Sequence, residues 1–289
     1  MRGLLFLALA GCASAPTRVP LPGKPWAIQA RAEVAYVIAA PERETKKLVV
    51  IDLAEGTVRR TLDVAPKAID LDVSDGTALI AAQTSGIQIV DLDSAESRTV
   101  AVAGNVSDIR AYGAGACAVV DGAVCLIDLA SGAATMKLEM EGVPGGLEVS
   151  GDTAYFSHAY PGGFQAIDLR ARVLLATVKD TPWLVSAKRI GDRVYCKTSN
   201  PVPGFCVFDS QRNVLLETYG EFGVFSDTDG ENVFVVNGET LSVLTLDAGR
   251  PVASVEVPGS RDVRVIGDRV FVWGDDFIEI RDRRELTRR

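Results

Sequence analysis

Residues 48–56, LVVIDLAEG, hold four apolar residues, an Asp, one more apolar residue and a polar turn, and the pattern returns along the chain. It recurs as IQIVDLDS (87–94), VCLIDLASG (124–132) and FQAIDLR (164–170). Weaker echoes are FCVFDS (205–210), SVLTLD (242–247) and FIEIRD (277–282). With Asp52, Asp91, Asp128, Asp168, Asp209, Thr245 and Arg281 in register, the spacings are 39, 37, 40, 41, 36 and 36 residues. Such a period constrains the fold more tightly than length does, because each unit must bury apolar surface against the next.

Within a unit, alternation and short β-branched runs dominate, bounded by Gly, Asp, Ser and Pro. The second unit divides into strand a (67–73), strand b (77–82), strand c (86–92) and strand d (98–103). Its a–b turn, Ser74-Asp75-Gly76, has counterparts at 113–115, 150–152, 191–192, 229–230 and 267–268. Gly and Asp tolerate the positive φ that tight hairpins need. Four short strands per unit, seven times over, predict an all-β chain: a seven-bladed β-propeller of four-stranded antiparallel blades spanning 26–289. A strand such as LVVI is apolar on both faces, so each blade needs a neighbour on each side. The recurring Asp belongs to a turn or strand end rather than to a catalytic set. In the last unit residues 285–289 make a poor outer strand, so the ring is expected to borrow one from the segment before Trp26.

The repeat resembles the YVTN/LVIVD-type bacterial propellers, whose c strands carry a comparable apolar-apolar-Asp core. The resemblance covers about 26–285 and implies the fold, not an activity. The Trp-Asp dipeptide of WD40 repeats is absent, as is the regular Trp-docking pattern of quinoprotein propellers.

The N-terminus is of another kind. Met1-Arg2 and the apolar run 3–10 (GLLFLALA) form a short positive and apolar leader, far below the ~20 residues of a membrane-spanning helix. Leu9-Ala10-Gly11-Cys12 resembles the bacterial lipobox. That resemblance implies a signal peptide over 1–11, cleavage before Cys12 and lipidation of Cys12. Ala13 follows where inner-membrane retention shows Asp, which by the same resemblance implies the outer membrane. Residues 12–25 then form the lipidated Cys and its tether, with three prolines in TRVPLPGKP keeping it extended. The alternative is an ordinary signal peptide cleaved near residues 13–15.

Four cysteines remain. Cys125 and Cys206 each stand three residues before the register Asp, and Cys117 and Cys196 lie on the preceding b strands. Hairpin geometry is expected to pair Cys117 with Cys125 and Cys196 with Cys206, which an oxidising compartment permits. The alternative is buried thiols acting as small apolar residues.

Chemistry-bearing residues are few. With 30 Lys and Arg against 38 Asp and Glu the net charge is −8, the wrong balance for a duplex-DNA partner, and no nucleic acid is expected. One histidine, His158, cannot build a His-ligated metal or haem site, and no nucleophile elbow accompanies it. No cofactor and no catalytic residue are assigned. Asp70, Asp108 and Asp262 start strand a in three blades and are the candidates for a cation in the central channel. The b–c and d–a loops are expected to display Trp26, Arg43, His158, Tyr160, Trp183, Phe222 and Trp273, with Lys46, Lys47, Asp275 and Asp276. Aromatic and Arg anchors of this kind mark recognition surfaces.

The chain therefore reads as a membrane-anchored envelope lipoprotein, a non-catalytic propeller binding a protein or polysaccharide. In plan, though not in repeat motif, it is similar to the propeller lipoprotein of the outer-membrane barrel-assembly machine. The alternative is a channel-mouth small-ligand binder or a metal-dependent, lactonase-like hydrolase.

Overall fold

The computed structural model describes residues 16–42, 45–140, 142–223 and 225–288. The lipobox with Cys12, and Arg43 on the loop side, lie outside the described residues.

The chain enters on β1 (Thr17–Pro20). Blade 1 follows as β2 (Lys24–Arg31), β3 (Val34–Glu42), β4 (Thr45–Asp52) and β5 (Thr57–Val64). Blade 2 is β6 (Asp70–Ser74), β7 (Thr77–Ala81), β8 (Ile87–Asp91) and β9 (Ser97–Val100). Blade 3 is β10 (Val106–Tyr112), β11 (Gly115–Val120), β12 (Ala123–Ile127) and β13 (Ala134–Leu138). Blade 4 is β14 (Val143–Ser150), β15 (Thr153–Tyr160), β16 (Gly163–Asp168) and β17 (Val173–Val178). Blade 5 is β18 (Trp183–Ile190), β19 (Arg193–Asn200), β20 (Gly204–Asp209) and β21 (Leu215–Gly220). Blade 6 is β22 (Ser226–Thr228), β23 (Asn232–Val236), β24 (Thr240–Thr245) and β25 (Pro251–Glu256). Blade 7 is β26 (Asp262–Ile266), β27 (Arg269–Trp273) and β28 (Phe277–Asp282), after which α1 (Arg283–Thr287) ends the chain.

Each sheet is a four-stranded antiparallel meander, and the seventh is completed by β1, which pairs Thr17 with Ile280 and Pro20 with Phe277. Thr17–Pro20 is therefore not tether. It is the outer strand of blade 7, and only the residues before it remain for a tether. Residues 285–287 are helix rather than strand, in α1, which Asp282 caps, its Oδ1 accepting from Arg284 N at 2.8 Å.

The core is a set of layers between blades. Along β4, Leu48 packs toward blade 2 with Leu71 and Ile80. Val49 and Ile51 pack toward blade 7 with Phe271, Ile278, Ile280 and Val19. Between blades 4 and 5 the layer is aromatic, with Phe164 stacked on Phe208 at 4.1 Å. Burying one such side chain contributes roughly 1.5–3 kcal/mol, so a blade lacking one neighbour would leave a whole row of them in water.

The repeated Asp fastens its own turn. Asp52 Oδ1 accepts from Ala54 N and Glu55 N at 2.8 and 2.9 Å. Asp91, Asp128 and Asp209 each accept from the amides two and three residues on. These amides, first that of Glu55 and then the Arg59 guanidinium, hold the Asp52 carboxyl below its ordinary range.

The cysteine expectation divides. Cys117 faces Leu126 across the hairpin while Cys125 faces Ala118, so the two are one residue out of register. A shift of one residue puts side chains on opposite faces of a sheet. Cys117 accordingly packs toward blade 4 and Cys125 toward blade 2. A Cys117–Cys125 bridge is incompatible with this hairpin. Cys196 and Cys206 are direct cross-strand partners in one apolar layer. All four are thiols in the structure, buried, and burial raises the pKa of each.

Since β1 is the last strand of the last blade, placing a charge on its buried side should unfasten the ring. Val19→Asp is expected to lower the unfolding free energy by about 3 kcal/mol or more, measured by urea denaturation.

Candidate binding face

Strand direction sorts the surface into two faces. The a–b and c–d turns, with their capping Asp residues, form the turn face. The b–c and d–a loops form the loop face. Innermost strands a line the channel between them.

On the loop face Tyr160 ends β15 and Trp183 starts β18. Their rings meet edge to face at 5.4 Å and both stay exposed, Tyr160 by 58%. Val143, the cross-strand partner of Tyr160, is 54% exposed, and Val202 and Phe225 are exposed on the next two loops. Together they form an apolar and aromatic band over blades 4 to 6. The two aromatic rings were legible in the sequence; Val143, Val202 and Phe225 were not. The available signal was an apolar residue set beside Pro or Gly in a loop, as in VPGG and NPVPG.

Trp26 stands apart, over blade 1, and is 54% exposed. The Lys46 ammonium lies 4.1 Å from the centre of its ring. Lys46 itself is buried, donating to the Ala68 carbonyl, and burial lowers its pKa. Trp273 is half-buried against the blade 7–1 layer and lines the channel with Trp26. Lys47 pairs with Asp63 at 2.5 Å and Asp275 with Arg261 at 2.6 Å. The amide of Leu21 donates to the Asp276 carbonyl.

Two expected face residues are not on the surface. His158 is buried: β15 continues past it, its Nε2 lies 2.6 Å from Gln165 Oε1, and its ring packs edge-on against Phe156. Phe222 is buried in the layer between blades 5 and 6 beside Phe205. In both cases an apolar environment claimed a side chain that loop placement alone would expose.

The channel holds a cavity of about 290 Å³ lined by acids and bases together, among them Asp70, Asp108, Asp262, Arg110, Lys188 and Lys197. Its carboxylates join one blade to the next. Asp70 accepts from Ile109 N at 3.1 Å and from Arg110 at 2.6 Å. Asp72 accepts from Ala111 N at 2.9 Å. Asp227 accepts from Val265 N at 2.7 Å and from Lys188 at 3.1 Å, and Lys188 also donates to Thr228 O. Burial opposes the charge of Arg110, but Asp70, Glu148, Asp108 and Asp72 outweigh it and raise its pKa.

Asp70, Asp108 and Asp262 all border this cavity, yet no group of three or more His, Cys, Asp or Glu able to hold a metal occurs among the described residues. Asp70 is spent on Arg110 and the Ile109 amide. Asp262 accepts from Val263 N, and burial raises its pKa. Asp108 is pushed up to about 6 by burial first and by Asp70 second, against the Arg110 charge and the bond donated by Ser107 Oγ.

The chain is similar in fold to solved structures. It matches the computationally designed Ika8 protein at 12% identity and a TM-score of 0.63, over 93% of this chain and 100% of that one. It matches BamB from Moraxella catarrhalis at 16% identity and a TM-score of 0.59, over 88% of this chain and 80% of that one. At such identities the likeness is one of fold. No family model matches the chain, and no curated protein matches it in sequence.

Asp108 keeps its proton up to about pH 6 when folded but only to the ordinary carboxylate range when unfolded. Its contribution to stability is thus present in acid and lost as pH rises through about 6. Asp108→Asn should match the parent near pH 3 and exceed it by roughly 1–3 kcal/mol near pH 7.5, in denaturation curves taken across that range.

Proposed function

We propose that this chain is a lipid-anchored envelope protein whose propeller binds a partner protein through the loop face of blades 4 to 6. The observation that carries the reading is the exposed Tyr160–Trp183 pair with Val143 beside it. Exposed apolar groups gathered on one side of a rigid scaffold favour recognition. The fold likeness to BamB agrees with a binding module. The channel acids favour a structural role, since Asp70, Asp72 and Asp227 are engaged in bonds between blades. Cys12, through the lipobox resemblance, supplies the anchor.

The test is crosslinking in intact envelopes. Tyr160→Ser with Trp183→Ser should lose the main crosslinked partner while keeping the parent's melting temperature, and Cys12→Ser should move the protein out of the membrane fraction. A partner retained by the double variant would overturn the loop-face assignment.

On the same reading, export delivers the chain to an oxidising compartment. There the two thiols of Cys196 and Cys206 lose two electrons and two protons to a thiol oxidant and join. The cross-strand register of the pair supports this. Non-reducing peptide mapping should link Cys196 to Cys206 and leave Cys117 and Cys125 alkylatable after denaturation.

A further inference from the structure

The exposed apolar residues that do not belong to the loop face have their own pattern. Residues 173–175 and 214–216 are both Val-Leu-Leu, placed at the same register five residues after Asp168 and Asp209. They open the outer strands of neighbouring blades 4 and 5. All six side chains are exposed, Leu174 by 45% and Leu215 by 39%. Other blades carry shorter or no apolar runs at this register: Thr57-Val58-Arg59 in blade 1, with Val58 alone exposed, and Glu96-Ser97-Arg98 in blade 2.

These triplets sit at one end of the ring. Strands d run from the turn face to the loop face, so all six residues lie within about 10 Å of the turn tips at ~3.3 Å per residue. Exposed Arg170, Arg172 and Arg212 stand one to three residues before them, Arg172 donating to the Thr135 carbonyl at 3.0 Å. Leucine beside arginine at the edge of a surface suits a bilayer interface, where aliphatic groups enter about 5–10 Å and guanidinium groups meet phosphates.

The path of the chain points to the same face. β1 is antiparallel to β28, so Thr17 lies at the turn face, packed beside Gly56 of the first c–d turn. Pro16 and Thr17 border Leu53 and Ala54 of that turn and Glu285 of α1. Four residues separate Cys12 from Thr17. Even fully extended they reach only about 17 Å. The junction of blades 7 and 1 and the rim of blades 4 and 5 stand across the ring from each other.

From the short reach and the two apolar triplets we infer that the turn face is the membrane-facing side. In this arrangement Leu174, Leu215 and their neighbours enter the lipid interface, while the Tyr160–Trp183 face is presented away from the bilayer. The inference rests on lipidation of Cys12.

The test uses the lipidated full chain in vesicles of phosphatidylethanolamine and phosphatidylglycerol with brominated acyl chains. A thiol-reactive fluorophore is placed at Leu174→Cys, Leu215→Cys or, on the loop face, Val202→Cys. Fluorescence at positions 174 and 215 should be quenched about twofold or more, with little change at 202. Quenching at 202 equal to or above that at 174, or a label at 174 that crosslinks to a second protein chain, overturns the inference. A chain that stays in the membrane fraction with unquenched rim labels overturns the inference alone. A chain that leaves that fraction overturns lipid anchorage and the inference together.

Discussion

A sheet that is apolar on both faces cannot be left with one face in water, and everything else in this molecule follows from that. Each blade presents one row of side chains forward and one backward, as Leu48 and Val49 do on adjacent positions of a single strand. The ring satisfies all the rows only when the last blade meets the first. Val19, Ile278 and Ile280 therefore matter as much as any residue in the middle of the chain.

The polar groups follow the same geometry. Near the axis the innermost strands converge, and their side chains face one another rather than a neighbouring sheet. Acids there are matched to the amides and cations of the next blade, as with Asp70 and Arg110 or Asp227 and Lys188. A mixed-charge channel of this kind ties blades together at the point where apolar layers have run out. At the turn ends, by contrast, one Asp in each of blades 1 to 5 satisfies the amides of its own turn and leaves the rest of the turn free to vary. On the opposite face the b–c and d–a loops vary from blade to blade, and exposed rings gather over blades 4 to 6, with Trp26 apart over blade 1.

Strand number and blade register were legible in the sequence because they are fixed by a period that survives local noise. The observed β6 to β9 follow the proposed strands of the second unit closely, and the demotion of Asp52 from chemistry to turn-making agrees with its bonds. Single-residue consequences were less legible. Counting from Asp128 placed Cys125 correctly, yet pairing it with Cys117 needs a three-residue loop, one residue more than the hairpin has. The hairpin turns on Asp121 and Gly122, both at positive φ, and so carries Cys117 to the other side. His158 and Phe222 were placed on loops because polarity and neighbouring Gly or Pro suggested it. Which way such a side chain turns depends on partners, Gln165 of β16 and Phe205 of β20, that lie elsewhere in the chain.

The closing strand has a consequence for the order of events during synthesis. Residues 17–20 are made before any of the blades, and their pairing partners, residues 277–280, only after six blades are complete. Bringing ends that far apart together carries a loop-closure cost of about 5 kcal/mol, so the clasp forms only once the intervening blades have shortened the path. Until then β28 has an unpaired edge and Val19 has no pocket. A neighbouring copy in the same state offers each of them an identical partner, so crowding of nascent chains sets a choice between a closed ring and two rings joined through exchanged N-terminal strands.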